Sequence, residues 1–269
     1  MMYYKSILIC GGDKRQRYMY EYMKEKGLGV SSFGLFHNDI QDIDEIKKYD
    51  VVILPIPVTK DGVYLKCERI VLLQDVFDIL SESQIILGGM YDGIYDYGKV
   101  ERFQMKNALP TAEGALSVAV ENTDITINDS CCCIFGYGRI GKILANMLKN
   151  MGASVTVYAR NIKDLSLAET MGFETKNTNI VEDLGKFDII FNTVPKPILD
   201  GRVLSTAKKD ALFIELASKP YGIDMEAAEK LGRKVIVASG LPGKVAPKTA
   251  GKILFDVIMD ILGGIEDGT

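Results

Sequence analysis

Three glycines, Gly136, Gly138 and Gly141, stand in the spacing G-x-G-x-x-G within Phe135-Gly136-Tyr137-Gly138-Arg139-Ile140-Gly141. The chemistry this spacing serves is the holding of a pyrophosphate. The first glycine permits a tight turn, the second lets the anion approach the backbone, and the third lets a helix pack close to a strand. The N–H groups and positive dipole end of that helix then face the anion. Such a motif has meaning only in context, and the context is present. The apolar run 131–135 lacks polar alternation and reads as a buried strand. Ile140, Ile143, Leu144, Met147, Leu148 and Met151 then recur on one helical face. Gly152 stands where a left-handed helix end is expected, and 154–158 reads as a second strand. Residues Gly136, Tyr137, Gly138, Arg139, Ile140 and Gly141 are therefore the expected cradle of a dinucleotide.

The second strand ends Tyr158-Ala159-Arg160-Asn161, with no acid before Asp164. An acid here would accept hydrogen bonds from the ribose hydroxyls of NAD, whereas Arg160 can pair with the 2′-phosphate of NADP. The charge pattern favours NADP over NAD. The alternative is that Arg160 stacks on the adenine face or points to solvent.

The chain of 269 residues carries a net charge of −4 and no basic block, which makes nucleic acid a poor partner. The N-terminal stretch lacks the apolar core of a signal peptide, and no apolar run approaches a membrane span, so a cytoplasmic protein is expected. The five cysteines form no disulfide pattern. Cys131, Cys132 and Cys133 are consecutive on a strand, so neighbours point to opposite faces and do not converge on one metal. With one histidine, His37, in the whole chain, no metal site is expected.

The elements that must position the motif alternate strand and helix, which indicates parallel sheets with right-handed crossovers. Strands are read at 6–10, 30–36, 51–54 and 85–87, with one helix carrying Tyr18, Met19, Tyr22 and Met23 on one side and stopped at Gly27, and another over 69–80. These form a flavodoxin-like first domain, 1–109. Pro110-Thr111-Ala112-Glu113 reads as a helix start with Thr111 as cap, giving an interdomain helix over 111–122. A Rossmann domain over 123–247 follows, with further strands near 173 and at 187–192, 211–216 and 234–238. The stripe Ala250, Ile253, Leu254, Val257, Ile258, Ile261 and Leu262 is too wide for an unpacked tail. The helix over 248–264 is expected to return to the first domain. The fold class is α/β, two parallel-sheet domains facing each other across a cleft. Ligands bind such sheets at the carboxyl ends of the strands, which singles out the loops 11–16, 55–60, 88–91, 192–197, 217–221 and 239–249.

Those loops carry a resemblance. The runs Gly11-Gly12-Asp13-Lys14-Arg15-Gln16, Asn107-Ala108-Leu109-Pro110-Thr111-Ala112-Glu113, the glycine motif, Asn192-Thr193-Val194-Pro195, Leu216-Ala217-Ser218-Lys219-Pro220 and Gly240-Leu241-Pro242-Gly243-Lys244-Val245-Ala246-Pro247-Lys248-Thr249 are similar, in order, to the family of dipicolinate synthase A subunits. The resemblance implies an enzyme of endospore formation, acting in the mother cell with a flavoprotein B subunit, and a homo-oligomer. It would oxidise a dihydrodipicolinate-type cyclic dicarboxylate to an aromatic pyridine, with a nicotinamide cofactor as hydride acceptor. The family also shares the architecture of D-2-hydroxyacid dehydrogenases, whose acid/base is a late histidine. This chain has no histidine after His37, so that mechanism is not supported. Aromatisation is downhill and needs little beyond hydride alignment and a weak base.

A dicarboxylate requires cations or N–H donors at two places. Lys14 and Arg15 supply one set of candidates; Lys219, Lys244 and Lys248, on the other side of the cleft, supply the other. Ser218 and Thr249 are candidate carboxylate donors, or caps. Lys219 is the acid/base candidate, because burial beside other cations would lower its pKa. Asn192, Thr193 and Pro195 end a strand beside the expected nicotinamide and are candidate cofactor contacts, or turn residues. Two further readings share the pattern: a dehydrogenase of a 2-hydroxy or shikimate-like acid, and a non-catalytic protein that senses nucleotide or serves as a scaffold.

Overall fold

A computed structural model describes residues 6–35 and 39–267, with the side chains of 265–267 excepted; His37 lies outside the described residues. The chain divides into two compact units, 1–107 with 242–269, and 108–241.

In unit 1, β1 (Ile7–Cys10) leads into α1 (Lys14–Glu25), followed by β2 (Val30–Phe33) and β3 (Val51–Ile53). Then come α2 (Leu73–Ile79), β4 (Ile85–Gly88) and β5 (Tyr95–Asp96). All pairings are parallel, in the order β2-β1-β3-β4-β5, which is the flavodoxin-like order with its topological switch between β1 and β3. β1 and β3 are buried on both faces, so they read as unbroken apolar runs. The helix expected over 69–80 is shorter. Tyr64 and Leu72 form an antiparallel bridge, and the Leu65 amide donates to Val71 O. That pairing engages 71 and 72, so the helix starts only at Leu73.

The next helix, α3 (Glu101–Asn122), begins ten residues before the expected start and contains Pro110 in its interior. Pro110 lacks the amide that would bond the preceding turn, yet it is buried, and the helix continues through it. Ala112, Ala115 and Ala119 are fully buried along one stripe of α3, and Leu241 lies so close to Gly114 that a Cβ there would be 2.7 Å from it.

Unit 2 continues with β6 (Cys131–Phe135), α4 (Arg139–Asn150), β7 (Ser154–Ala159), α5 (Ile162–Thr170), β8 (Glu174–Asn177) and β9 (Ile189–Asn192). It ends with α6 (Gly201–Ser205), β10 (Leu212–Glu215), α7 (Met225–Lys230) and β11 (Lys234–Val237). The order β11-β10-β9-β6-β7-β8, all parallel, is the doubly wound order with its switch between β6 and β9. Cys132 enters the core layer beneath α4, and Cys133 the layer on the opposite face. Burial pushes the Cys132 thiol up to about 11 and raises Cys133 well above the usual thiol range, so both behave as small apolar groups.

The chain then re-enters unit 1 through α8 (Leu241–Val245) and α9 (Pro247–Asp267). α9 packs along α1 through Gly251, where a Cβ would lie 2.6 Å from Tyr18 Cβ and 2.7 Å from Arg15 O. Ile253, Leu254, Val257, Ile258 and Leu262 join the core of that unit. Among the described residues, no helix is long and apolar enough to cross a membrane.

Candidate functional site

The switch point of unit 2 is built around the glycine turn. Gly136 leaves β6 at φ +99, and a Cβ there would lie 2.2 Å from Thr193 Oγ1. At Gly141 a Cβ would meet Gly136 O at 2.1 Å, so α4 reaches the strand end only because that side chain is missing. Gly138 differs: nothing lies within 4 Å of its absent Cβ. It is the N-cap of α4 and makes no side-chain cap. Open space at Gly138, beside a helix N-terminus without a side-chain cap, is the arrangement an anion needs. The residues present fit a pyrophosphate. Tyr137 is buried edge-on against Phe173, and Ile140 packs on the same core. Their side chains anchor the turn, and what they offer a ligand is backbone. Arg139 is exposed.

Arg160 follows β7 directly and is exposed. The one acid nearby in sequence is already engaged. Asn161 Nδ2 donates to Asp164 Oδ2 at 2.7 Å, the Asp164 amide donates back to Asn161 Oδ1 at 2.8 Å, and Lys142 lies 3.7 Å from the carboxylate. The strand end thus presents a cation where an NAD-type site presents an acid.

The ends of β9 and β10 are tied by a group that sequence reasoning missed. Glu215, the last residue of β10, is fully buried. Its Oε1 accepts from Ala217 N at 2.9 Å, and its Oε2 from Gly222 N at 3.0 Å and Ile223 N at 3.1 Å. Asn192 Nδ2 donates to both oxygens, at 2.7 and 2.9 Å. The remaining capacity of Asn192 goes to Val194, its Oδ1 accepting from Val194 N and its Nδ2 donating to Val194 O. Of the two roles open to Asn192, a cofactor contact or a turn residue, its bonds are those of the second: it is buried and spent within the loops. Thr193 donates its hydroxyl to Phe135 O at 2.8 Å and supports the Gly136 turn. Pro195 and Ser218 lie on the two loops that the Glu215 network holds, neither of them buried. Lys219 is exposed; the burial that would have made it an acid/base is absent, and that role is withdrawn. The signal for Glu215 in the sequence was a lone acid closing the apolar run Leu212-Phe213-Ile214.

The switch point of unit 1 carries a charge cluster. Asp13 caps α1 in a capping box with Gln16. Its Oδ1 accepts from Arg15 Nε at 2.9 Å, and its Oδ2 from Arg15 Nη2 at 2.9 Å and Lys66 Nζ at 2.6 Å. Burial alone would raise the Asp13 carboxyl, but Arg15 and Lys66 hold it well below the usual carboxylate range. Arg15 is thus no free surface cation: it is buried, and two of its nitrogens are committed to Asp13 and to Ile56 O. Lys14, Lys244, Lys248 and Thr249 lie in the same unit and keep access to solvent. Lys244 and Lys248 were expected on the opposite side of a cleft from Lys14. They belong with it, because Gly243, lacking a side chain, lets the chain lie against Arg15, where a Cβ would be 2.9 Å from Nε.

With this geometry in view, comparisons with known proteins divide along the same lines. Residues 6–94 match the family described as the N-terminal domain of the dipicolinate synthase A subunit. Residues 109–221 match the NAD-binding domain of D-isomer-specific 2-hydroxyacid dehydrogenases. The dipicolinate synthase A subunit of Bacillus subtilis is 34% identical over 97% of this chain and 96% of its own length. The crystal structure of the dipicolinate synthase A subunit from Bacillus halodurans superposes with a TM-score of 0.88 at 29% identity, covering 97% of this chain and 99% of that one. A transhydrogenase from Sinorhizobium meliloti shares the fold, with a TM-score of 0.66 at 13% identity over 95% of each chain.

Proposed function

The chain belongs to the family of dipicolinate synthase A subunits, and we propose that it oxidises a dihydrodipicolinate-type cyclic dicarboxylate to dipicolinate with NADP, together with a flavoprotein B subunit, during endospore formation. It is an NAD(P)-dependent oxidoreductase. The observation that carries the fuller reading is the Gly136–Gly141 turn at a switch point, ending in Arg160 rather than an acid, within a chain that resembles those A subunits over nearly its full length.

The nicotinamide cofactor, when bound, supplies a two-electron acceptor. Gly138 and the first-turn amides of α4 would hold its pyrophosphate, and Arg160 its 2′-phosphate. The Glu215–Asn192 network fixes the loops that carry Pro195, Ser218 and Lys219, so these approach the ligand with little freedom to lose. Oxidation of the ring removes one hydride and one proton and leaves an aromatic pyridine. The proton departs to a weak base, for which water suffices, because aromatisation drives the step. No histidine follows His37, so the acid/base pair of hydroxyacid oxidation has no counterpart here. Lys14, Lys244, Lys248 and Thr249 are the solvent-accessible donors proposed to attract the dicarboxylate.

The test is formation of the pyridine, followed by its ultraviolet absorbance. The dihydrodipicolinate-type precursor and NADP are supplied to this chain alone, to the flavoprotein alone, and to both. Product is expected only, or far faster, with both present. An equal rate from the flavoprotein alone would remove this chain from the chemistry and leave a nucleotide-sensing role.

A further inference from the structure

We propose that Lys66, held beside Arg15 by their common counter-ion Asp13, is the receptor for one carboxylate of the substrate. The inference rests on the reading of the chain as an oxidoreductase of a small dicarboxylate, and it names a residue and a place for one half of that recognition.

Two cations and one carboxylate meet at this point. Arg15 and Lys66 share not only Asp13 but also Ile56 O, which accepts from Arg15 Nη2 at 2.6 Å and from Lys66 Nζ at 3.1 Å. The side chains of Arg15 and Lys66 are 7% and 13% exposed. The cluster therefore holds one positive charge in excess where water is scarce, an expensive arrangement unless an anion completes it. Burial is the largest influence lowering the Lys66 pKa, and repulsion from Arg15 adds to it. An ammonium has three donors. Two of those on Lys66 are spent, on Asp13 and Ile56 O, which leaves one for a ligand.

The position of the cluster is built, not incidental. The Lys66 amide donates to Val58 O at 2.8 Å, and Gly12 N donates to Lys66 O at 2.7 Å. The backbone of the 55–66 loop is thereby tied to the turn after β1, where Gly11 and Gly12 adopt φ +77 and +130. Asp13 follows β1, and Ile56 follows β3, so the excess charge sits outside the carboxyl ends of the two strands that flank the switch of this sheet. Open parallel sheets bind ligands at that point. A compact carboxylate satisfies both the charge and the spare donor.

Isothermal titration of the full-length chain, saturated with NADPH, against dipicolinate tests the assignment. Removing one charge-assisted hydrogen bond by Lys66→Met is expected to weaken dipicolinate roughly ten- to a hundredfold, with NADPH affinity changed less than about twofold. Lys66→Arg should recover most of the affinity, and the remote Lys48→Met should leave it unchanged. Wild-type dipicolinate affinity in Lys66→Met overturns the proposal. So does an equal loss of NADPH and dipicolinate, which would show a structural role only. Should Lys66→Met fail to fold, Lys66→Gln keeps a donor to Ile56 O without the charge, and wild-type affinity in that variant overturns the proposal as well. A wild-type chain that binds NADPH but no dipicolinate would sink the functional reading itself, and the assignment of Lys66 with it.

Discussion

Replacing Glu215 by Gln changes one atom in the buried knot of unit 2, and its cost can be worked from the bonds present. Oε2 accepts from Gly222 N, Ile223 N and Asn192 Nδ2; Oε1 accepts from Ala217 N and Asn192 Nδ2. A glutamine keeps one acceptor. If its oxygen takes the Oε2 place, Asn192 Nδ2 keeps that oxygen and Val194 O for its two hydrogens, but the new NH2 confronts the Ala217 amide, donor against donor, and both are left without an acceptor. Rotating Asn192 offers no escape, because its oxygen and nitrogen are both fixed on Val194. At about 1–3 kcal/mol for each buried donor left without a partner, two such donors cost ~2–6 kcal/mol. Against a total of ~5–15 kcal/mol for a typical domain, that is a large share. Urea unfolding of unit 2 and hydrogen exchange over 217–223 provide the readouts. The melting temperature should fall by at least ~6 °C, with exchange accelerated first at Ala217, Gly222 and Ile223. A loss below ~1 kcal/mol, or unchanged exchange at those three amides, would refute the view that Glu215 organises the loops.

Gly138→Ala and Gly141→Ala should separate binding from folding. The first adds a methyl where nothing lies within 4 Å, so the melting temperature holds while NADPH binding, followed by fluorescence titration, falls roughly tenfold or more; the second drives a Cβ to 2.1 Å from Gly136 O and should lower stability itself. Arg160→Ala is expected to cut the preference for NADPH over NADH by roughly ten- to a hundredfold in the same titration, the worth of a charge-assisted bond to phosphate; an unchanged ratio would sink the role of Arg160. Asp13 has a folded pKa below its ordinary 3.8, so its contribution is full well above that value and is lost as pH falls through and below it. The stability difference between wild type and Asp13→Asn in urea melts should therefore be constant near neutrality and shrink below about pH 4; a difference flat down to about pH 2 would contradict the pairing.

What was legible in the sequence follows from the range of the forces involved. The doubly wound unit could be read because its signals are local: a glycine spacing, an apolar run, and a helical stripe from Ile140 to Met151. The helix over 101–122 was started too late because Pro110-Thr111 imitates a helix start. Burial in the fold keeps the helix running through Pro110, and burial is not a local property. The helix over 69–80 was drawn too long for the same reason, since the partners that engage 71 and 72 lie at 65 and 64. The site residues divide likewise. Gly136, Gly138 and Gly141 act through their own backbone, and their spacing in the sequence already marks the turn that the structure forms. For Asn192 the sequence left a cofactor contact and a turn role open, because the partner that decides its bonds lies at 215. Lys66 gave no sign, since only the topology brings it to Asp13, 53 residues away in the chain.

The two units solve the burial of a carboxylate in opposite ways, and the difference bears on what each sheet end can do. Glu215 is surrounded by neutral donors, four residues contributing backbone or side-chain N–H groups, with no cation bonded to it among the described residues. Such a network fixes geometry: it is short-ranged, little altered by salt, and intolerant of exchanging an acceptor for a donor. Asp13 is surrounded by cations, and they outnumber it. That network creates a field as well as a shape, and removing Asp13 would leave two like charges in contact, so Asp13→Asn should cost more than its hydrogen bonds alone. Added anions should relieve part of that cost in Asp13→Asn and none of the cost in Glu215→Gln. A stability assay of both variants in chloride and in dipicolinate therefore asks one question of both sites. If dipicolinate rescues Asp13→Asn at concentrations where chloride does not, the cation pair recognises a carboxylate and not merely negative charge. Equal rescue by the two salts would reduce the cluster to a counter-ion problem inside the fold.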